Sequence, residues 1–491
     1  MRNKWLYFVL LVCITIFWTG CETSEIETLA EDHPFHSFEQ PPNIIWVMAD
    51  DLGYGDLGSY GQEQIQTPRL DQMASEGLRF TQFYSGHTVC APARSSLMTG
   101  QHTGQTRVRG NFSSVTSDRV PLEPEDFTVG ELLQQAGYTT ALIGKWGLGE
   151  PNTTGLPNLK GFDYFWGFLN QRRAHTYHPE WVWRNDTRVV LDQNSDRVEF
   201  SAGFAVGNHD HYSHDLDIKE AEWFIRANRD GPFFLYLALQ IPHAELIVPD
   251  DSLEEYLDED GNSIFDEQPF EGSATYRPLS IPNATYAAMV TRLDRDIGGI
   301  LDLLKELNIH ENTLVFFTSD NGPHSAGGYN PDYFNSNGPL RGIKRDLYEG
   351  GIRVPMIVWM PGTVPQGETN EQVWAMWDFM PTAAEIAEVD IPDQINGISM
   401  MNALLNRPQE DPEYLYWEFH EGVFSQAVRF DDWKAVRPDY GEEIELYDLS
   451  TDFGETNNLA GQYPEIVEKA EELFHSARTS TEHWPVEIDN N

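Results

Sequence analysis

The sequence predicts an α/β fold whose central sheet is mostly parallel and flanked by helices. A smaller C-terminal α+β subdomain with a short antiparallel sheet is expected to follow. Apolar runs of strand length alternate with longer helical patterns through most of the chain, which is typical of parallel sheets. Five of these apolar runs end in polar or turn-forming segments. Near the C-terminus, short alternating strands replace this pattern.

The first strand is predicted for Pro42–Met48, a continuous apolar run that precedes Asp50-Asp51. A helix is predicted over Thr67–Gly77, because a proline stands at its first helical position and a glycine at its end. A second, short helix is predicted for Pro92–Met98. It would place Cys90 at a helix N-terminus, where main-chain N–H groups favour an anion.

The later strands end in the same way as the first. They are predicted at Tyr138–Ile143, Pro232–Leu239, Thr313–Thr318 and Val354–Trp359, with helices at residues 128–136, 215–229 and 286–307. Ligands of open α/β sheets bind at the carboxyl ends of the strands, so the side chains there are candidates for a site. The side chains expected at this shared edge are Asp50, Asp51, Lys145, His243, Asp320 and Asn321.

A chain of 491 residues is long enough for one large domain and a smaller one. We place the large domain at residues 42–395 and the C-terminal subdomain at residues 396–491. The elements expected in the subdomain are strands at Tyr414–His420, Gln426–Phe430, Trp433–Arg437 and Glu443–Leu449 and a helix at Tyr463–Ser476.

The composition excludes some classes of partner. The net charge is -46, from 32 basic and 78 acidic residues. Nucleic acid and anionic membrane surfaces would be repelled by such a chain. The acidity fits a protein that stays soluble in a salty exterior, where ions screen its charge.

The N-terminus predicts export. A basic start, Met1–Lys4, precedes the apolar stretch Trp5–Trp18, which is too short for a typical membrane span. Thr19-Gly20-Cys21 is then interpreted as a lipobox. We predict a lipoprotein signal peptide at residues 1–20, lipidation of Cys21 and a polar tether at residues 21–41. The chain would be held at the bacterial outer membrane or cell surface by the lipid alone. A plain secretory signal, giving a periplasmic or secreted protein, is the alternative.

Cysteine usage singles out Cys90. Of the three cysteines, Cys13 lies in the predicted signal peptide and Cys21 in the lipobox. The mature chain therefore has no partner for an intramolecular disulfide with Cys90. A buried, inert thiol is the alternative interpretation of a lone cysteine.

A modification signature surrounds Cys90. Cys90-Ala91-Pro92-Ala93-Arg94 follows the pattern Cys-x-Pro-x-Arg, with Thr99-Gly100 after it. Other segments of the same kind are Asp50-Asp51, Gly144-Lys145-Trp146, Pro242-His243, Ser319–Gly322, Leu340–Lys344, Glu349–Pro355, Asp378–Thr382 and Glu445–Leu449. With these segments the chain resembles the formylglycine-dependent type I sulfatase family (arylsulfatase-like), which includes bacterial carbohydrate sulfatases, within the alkaline phosphatase superfamily. The resemblance implies an alkaline phosphatase-like large domain that is catalytic.

The resemblance also implies a reaction. A maturase would oxidise Cys90 to formylglycine (3-oxoalanine), whose hydrated aldehyde offers two hydroxyl groups. One would attack sulfur and the other would expel sulfate and restore the aldehyde. Arg94 would support the formylglycine hydroxyl, and Lys145 and Lys344 would neutralise the sulfuryl oxygens. His243 would protonate the leaving oxygen.

Metal ligands are implied at the same place. Asp50, Asp51, Asp320 and Asn321 supply oxygens only, which suits Ca²⁺, or less well Mg²⁺, and not Zn²⁺. Residue 90 completes the expected set as formylglycine derived from Cys90.

Substrate contacts are expected from loop residues. His102, Arg172, His175 and Tyr177 would form a subsite for a sulfated saccharide or polysaccharide, since aromatic rings and positive charge suit such a ligand. The family often has histidine where this chain has Gly147; the sequence leaves open which residue compensates, and His175 is a candidate. Two other functions stay open. One is phosphonate monoester or phosphodiester hydrolysis, and the other is glycan binding by a surface pseudoenzyme.

Overall fold

The computed structural model describes residues 41–191, 198–199, 205–206 and 211–486. The predicted signal peptide, Cys21 and the tether up to residue 40 lie outside the described residues. Among the described residues, none of the helices combines the length and the apolar composition that a membrane crossing requires.

The described elements follow the predicted alternation. The strands are β1 (Asn43–Ala49), β2 (Leu78–Phe80), β3 (Phe83–Tyr84), β4 (Thr139–Lys145), β5 (Tyr164–Phe168), β6 (Trp181–Arg184), β7 (Thr187–Val190), β8 (Val198–Glu199), β9 (Ala205–Val206), β10 (Phe233–Ala238), β11 (Thr313–Ser319), β12 (Met356–Trp359), β13 (Glu368–Asn370), β14 (Trp374–Ala375), β15 (Leu415–Phe419), β16 (Ser425–Phe430), β17 (Trp433–Arg437) and β18 (Glu445–Asp448). The α-helices are α1 (Pro68–Glu76), α2 (Cys90–Thr99), α3 (Val129–Gln135), α4 (Ser213–Asn228), α5 (Asp250–Leu253), α6 (Pro282–Glu306), α7 (Pro331–Phe334), α8 (Glu349–Ile352), α9 (Phe379–Ile386), α10 (Met401–Leu404) and α11 (Pro464–Ser476).

A ten-stranded sheet forms the centre of the molecule, in the order β13-β2-β12-β11-β1-β10-β4-β5-β6-β7. The five strands β11-β1-β10-β4-β5 run parallel to one another. On one side β12 and β2 pair antiparallel, and on the other side so do β6 and β7. The predicted, mostly parallel sheet is therefore confirmed, with antiparallel strands added toward both edges.

Helices cover both faces of this sheet. Ile45 and Val47 of β1 belong to the core shared with α1, α4 and α6. The alternate residues, including Trp46, face the core shared with α2, α3 and α9, where Trp46 lies 4.2 Å from the ring of Phe379. A strand buried on both faces is apolar at every position, which explains the continuous apolar runs of the sequence.

The predicted C-terminal antiparallel sheet is present as β15-β16-β17-β18. One face of this sheet packs against α11. The other face packs against residues of the large domain, where Trp417 contacts Tyr84 and Trp377. Lys434 on β17 lies 3.0 Å from Glu349 on α8 and 3.2 Å from Glu455, and all three side chains are fully buried. This buried ion cluster joins the small sheet to the loop region that carries Lys344.

Candidate active site

Four neighbouring parallel strands deliver polar side chains to one edge of the sheet. Asp50-Asp51 follows β1, Lys145 is the last residue of β4, and His243 lies in the loop after β10. Asp320-Asn321 follows β11. Because β11, β1, β10 and β4 are adjacent and parallel, the expected gathering of these residues is found in the structure.

Cys90 is the first residue of α2, so the helix begins two residues before its predicted start. The side chain is buried, and its Sγ lies 3.4 Å from Oδ1 of Asp50 and 3.5 Å from Nζ of Lys344. Burial, followed by the charge of Asp50, raises the pKa of the Cys90 thiol to about 12. The thiol therefore stays protonated at neutral pH and is a poor nucleophile.

Arg94 lies one turn after Cys90 and is fully buried. Its Nε and Nη2 donate to Oδ2 of Asp320 at 3.2 and 2.9 Å, and its Nη1 donates to the main-chain oxygen of Lys145 at 2.6 Å. Burial opposes its charge, but Tyr236 and Asp320 hold the pKa of Arg94 above its ordinary value. The guanidinium thus ties α2 to the ends of β4 and β11.

Two lysines pair with the two aspartates that follow β1. Nζ of Lys145 lies 2.5 Å from Asp50, and Nζ of Lys344 lies 2.6 Å from Asp51. Burial and the neighbouring Asp320 raise the pKa of Asp50. Burial acts in the same direction on Asp51, but Lys344 and other nearby cations outweigh it and lower the pKa of Asp51 to about 2. The pKa values of the two adjacent carboxyl groups are therefore shifted in opposite directions.

The oxygens at this edge fit a hard divalent cation. Nδ2 of Asn321 donates to Oδ1 of Asp51 at 2.7 Å, while its Oδ1 is buried and has no hydrogen-bond partner among the described residues. Carboxylates of Asp50, Asp51 and Asp320 lie at the same sheet edge. An orphaned amide oxygen beside carboxylates is the donor set that Ca²⁺ or Mg²⁺ prefers. Residues Asp50, Asp51, Cys90 and His243 also place one possible ligand atom each within 4.8 Å of the others. The sequence placed His243 at this edge as a proton donor and did not include it among the expected metal ligands.

His243 lies against the cluster. Its Nε2 is 3.3 Å from Oδ2 of Asp51, and its Nδ1 faces the main-chain oxygen of Ala244. The ring stacks on His175 with a centroid separation of 3.8 Å. Burial, together with Lys344 and Lys145, lowers the pKa of His243 well below its ordinary value. Both ring nitrogens nevertheless face oxygen acceptors, so a proton taken up by the ring has a partner at either nitrogen.

A cavity of about 430 Å³ opens onto Cys90 and is lined in part by Lys344, His243 and Asp51. Two of the four residues predicted to bind substrate, Arg172 and His175, line this cavity.

The other two do not, and their prediction is corrected. His102 is buried beside the rings of Trp377 and Tyr416, away from the cavity wall. Tyr177 is buried behind His243, where its hydroxyl group lies 2.7 Å from the main-chain oxygens of both Gln240 and His243. These side chains turn inward because aromatic surface is available there, which the loop sequence does not indicate.

The structure adds residues that sequence reasoning missed. His324 lines the cavity with its ring centroid 5.7 Å from that of His243, and Arg345 follows Lys344 directly. Closeness in sequence to Asn321 and Lys344 could have revealed these two. Arg119 and Gln171 also line the cavity, but they lie in loops without a recognisable pattern.

The side chain of Gln171 fills the space beside Gly147. A Cβ atom added at Gly147, which has φ +86°, would lie 3.1 Å from Oε1 of Gln171. Nε2 of Gln171 donates to Oδ1 of Asn111 at 2.7 Å, and that oxygen also accepts the N–H of Ala91 at 3.3 Å. An amide pair thus stands beside the start of α2 where a larger side chain at position 147 would be crowded.

Comparison with known proteins identifies the family. Residues 42–389 match the family model "Sulfatase", and residues 343–480 match "N-sulphoglucosamine sulphohydrolase, C-terminal". The first of these spans more than half of the chain, including every element of the sheet edge described above.

Individual relatives agree with this match. The chain is 30% identical over 469 residues to the N-acetylgalactosamine-6-sulfatase of Homo sapiens, covering 91% of this chain and 82% of the relative. It is 28% identical over 529 residues to the N-acetylgalactosamine-6-O-sulfatase of Bacteroides thetaiotaomicron, covering 94% and 96%. The solved structure of Ps i-CgsB in complex with k-i-k-neocarrahexaose superposes with a TM-score of 0.73 at 27% identity, covering 90% of this chain and 94% of that one. With its alkaline phosphatase-like fold, the chain belongs to the sulfatase family of sulfuric ester hydrolases.

Proposed function

We propose that this sulfatase hydrolyses sulfate esters of a saccharide or polysaccharide, using a formylglycine made from Cys90 and a bound calcium ion. The observation that carries the proposal is the placement of Cys90, buried at the start of α2 between Asp50 and Lys344. A saccharide is supported by the relatives named for N-acetylgalactosamine sulfate and by the neighbour solved with a neocarrahexaose.

The state of Cys90 supports its conversion. A buried thiol with a pKa of about 12 is not a nucleophile at neutral pH, so residue 90 needs another functional group to react. In the proposed oxidation, the side-chain carbon loses two electrons and two protons, its C–S bond is replaced by C=O with the oxygen of one water, and sulfur leaves as hydrogen sulfide. A maturase that reads residues 90–94 passes the two electrons to an external two-electron oxidant. The resulting aldehyde supplies, when hydrated, a hydroxyl group that can attack sulfur.

The surrounding side chains have roles in ester cleavage. The new bond joins that hydroxyl oxygen to sulfur, and the bond between sulfur and the sugar oxygen breaks. Lys145 and Lys344 are placed to balance the negative charge of the sulfuryl oxygens. His243 gives a proton to the departing sugar oxygen, since the anionic substrate opposes the lysines and favours the protonated ring. Overall, one water is consumed and the alcohol, sulfate and one proton are released.

Arg94 positions α2, and with it residue 90, at the ends of the strands. Its three hydrogen bonds to Asp320 and to the main chain of Lys145 hold α2 against the strand ends. The planar guanidinium reaches one carboxylate oxygen with two N–H groups and a main-chain oxygen with a third, an arrangement that lysine cannot reproduce. Arg94 therefore fixes the position of residue 90 relative to Lys145.

A cation would be held by Asp50, Asp51, Asp320 and Asn321, with Ca²⁺ preferred over Mg²⁺. When bound, such an ion would polarise a sulfuryl oxygen and lower the pKa of a neighbouring hydroxyl group. The chain's own contribution is a row of oxygens, one of them the orphaned Oδ1 of Asn321.

Two further parts of the proposal concern the whole chain. We propose a catalytic domain at residues 42–395 and a C-terminal subdomain at residues 396–491. Export and lipid anchoring through Cys21 are proposed from the sequence, and mass spectrometry of the N-terminal peptide would detect the lipid.

The proposal is tested first by mass spectrometry of the peptide that contains Cys90. We expect a loss of about 18 Da, the difference between a thiol-bearing and an aldehyde-bearing side chain. Cys90→Ala should abolish hydrolysis of 4-nitrophenyl sulfate and of sulfated hexosamines. Ser96→Ala is the matched control, because Ser96 is buried on the same helix and does not line the cavity.

The outcomes separate the competing functions. Full activity in Cys90→Ala would refute the mechanism. Faster turnover of an aryl phosphonate than of the aryl sulfate would favour a phosphonate monoester or phosphodiester hydrolase. Binding of sulfated glycans without turnover, in a chain that carries the modification, would indicate a pseudoenzyme.

A further inference from the structure

The cavity above Cys90 is positively charged in a chain whose net charge is -46. Three arginines and one lysine line it, but among its described lining residues only Asp51 carries a carboxylate. That carboxylate pairs with Lys344 at 2.6 Å. The remaining positive charge comes from Arg119, Arg172 and Arg345, which we call the arginine rim. None of the three is needed to balance the groups at the base of the cavity.

Arg119 is the most enclosed member of the arginine rim. Its side chain is 17% exposed, and its Nε lies 3.2 Å from Oε1 of Glu150. That same oxygen accepts a hydrogen bond from Asn170 at 2.6 Å. Nη1 of Arg119 is buried and has no hydrogen-bond partner among the described residues. A buried guanidinium N–H without an acceptor is costly, so this side chain is built to receive one from outside the protein.

The surroundings of Arg119 also disfavour its positive charge. Burial lowers the pKa of Arg119, and the neighbouring charge of Arg172 adds to the effect. Glu150 opposes both without cancelling them. The guanidinium carbon of Arg119 lies 4.9 Å from the ring centroid of Phe112, and this contact holds the guanidinium in place. A bound anion would relieve both the burial and the repulsion.

Arg345 is fixed by its main chain. Its N–H donates to the main-chain oxygen and to Oγ1 of Thr88 at 3.1 and 2.8 Å, and its φ is 82°. Thr88 lies two residues before Cys90, so Arg345 is anchored beside the reactive residue. Its Nε lies 3.2 Å from Glu421, whose other oxygen accepts a hydrogen bond from Asn111 at 2.9 Å. Arg345 thus shares its counter-charge and remains exposed toward the cavity.

We infer that the arginine rim is a second anion subsite, which binds a carboxylate or a further sulfate on the sulfated sugar or on the adjoining unit. This inference rests on the proposed function, in which the two lysines meet the sulfate that is cleaved. Guanidinium groups match carboxylate and sulfate oxygens in pairs, whereas a neutral sugar needs no such cluster of charge. The substrate class is therefore a polyanionic glycan, either multiply sulfated or containing uronate.

The test compares kcat/KM for four probes: 4-nitrophenyl sulfate, a hexosamine monosulfate, its disulfate, and a disaccharide that joins the monosulfate to a uronate. We expect at least one of the two doubly anionic probes to be preferred over the monosulfate by about ten-fold or more. Whether the disulfate or the uronate probe gains identifies the source of the anion. Arg119→Gln and Arg345→Gln should each remove about ten-fold from that preference while changing 4-nitrophenyl sulfate turnover by less than about two-fold.

Arg107→Gln is the matched control. Arg107 is 25% exposed and pairs with Asp126 and Glu125, but it does not line this cavity. It should leave all four probes unchanged. Equal kcat/KM for singly and doubly anionic sugars in the unaltered enzyme would overturn the inference. So would variants of the arginine rim that slow all four probes by the same factor.

Calorimetric titration of Cys90→Ala with the same sugars separates this inference from the proposed function. Tighter binding of a doubly anionic sugar, lost in Cys90→Ala combined with Arg345→Gln, would support the subsite even if no sulfate were released. Active hydrolysis without any preference for the second anion would leave the proposed function standing and remove the inference. Arg345 is exposed, so its variant should fold even if Arg119→Gln does not.

Discussion

Removal of the Tyr177 hydroxyl group tests how the structure holds His243 in place. The hydroxyl lies 2.7 Å from the main-chain oxygens of Gln240 and His243, and the ring is fully buried. Burial raises the pKa of Tyr177 well above its ordinary value, so it acts as a neutral donor. We expect Tyr177→Phe to loosen the His243 loop without touching the substrate.

The expected magnitude follows from the two acceptors. The oxygen of Gln240 also receives the N–H of His243 at 3.0 Å, whereas the oxygen of His243 has no other donor among the described residues. One buried carbonyl would thus lose its partner, at a cost of about 1–3 kcal/mol. For a chain of 491 residues the unfolding entropy is about 1 kcal/mol/K, so the melting temperature should fall by about 1–3 °C. Because His243 shifts, kcat should fall by about ten-fold.

Two measurements check this prediction. Denaturant unfolding reports the lost stability, and steady-state kinetics on a sulfated hexosamine separates kcat from KM. KM should change by less than about two-fold, because Tyr177 does not line the cavity. Tyr212→Phe is the matched control, since Tyr212 is buried and its hydroxyl group donates to the main-chain oxygen of Ile247 at 2.9 Å. It should lose stability and keep kcat.

A different division of the effect between kcat, KM and stability would contradict the role assigned to Tyr177. A raised KM with unchanged kcat and unchanged stability would make Tyr177 a substrate contact, as the loop sequence indicates. Equal losses of kcat in Tyr177→Phe and Tyr212→Phe would show that any buried hydroxyl in this region matters, and not the one that holds His243.

Three further predictions concern the acid, the cation and the buried ion cluster. His243→Gln should slow hydrolysis of a sugar sulfate by about 100-fold or more. Hydrolysis of 4-nitrophenyl sulfate should slow far less, because nitrophenolate leaves without a proton. The control is His102→Gln, which changes a buried histidine away from the cavity and should leave both rates unchanged. Dialysis against a chelator should lower both the activity and the melting temperature, and Ca²⁺ should restore both better than Mg²⁺. Metal analysis by mass spectrometry measures how much cation is bound. Unchanged activity in the metal-free enzyme would contradict the proposed cation. Lys434→Met removes the buried cation that Glu349 and Glu455 share; Glu349 keeps Arg353 at 3.3 Å, whereas Glu455 has no other ion pair among the described residues. It should cost about 3–5 kcal/mol of unfolding free energy in denaturant titration, and a loss below about 1 kcal/mol would show that Glu455 is protonated and that Arg353 suffices for Glu349.

The elements that place the active site were predictable from the sequence. The strand before Asp50 and the strand before Asp320 are continuous apolar runs because both faces of the sheet are covered by helices. Their pairing as parallel neighbours then brings both aspartates to one edge. The helix at Cys90 was predicted as well, although its start was set at Pro92, since a proline suits the first turn without defining its first residue.

Loop residues were predictable in part only. The prediction placed Arg172, His175 and Tyr177 together on one loop, and the structure directs the first two into the cavity and the third into the core. Side-chain direction in a loop depends on packing against distant segments, here the segment that carries His243. Arg119 and Gln171 were missed for the same reason, because no spacing or period marks a residue that reaches the site from a loop.

By itself, the sequence determined the α/β alternation, the motif around Cys90 and the oxygen-bearing side chains at the strand ends. These depend on local pattern, since hydrophobic period and strand polarity are written along the chain. The tertiary structure alone decided which charges surround the cavity, how His243 is held by Tyr177, and that Arg119 keeps a buried N–H without a partner. Such features arise between segments far apart in sequence, where burial and distance set the energy of each charge.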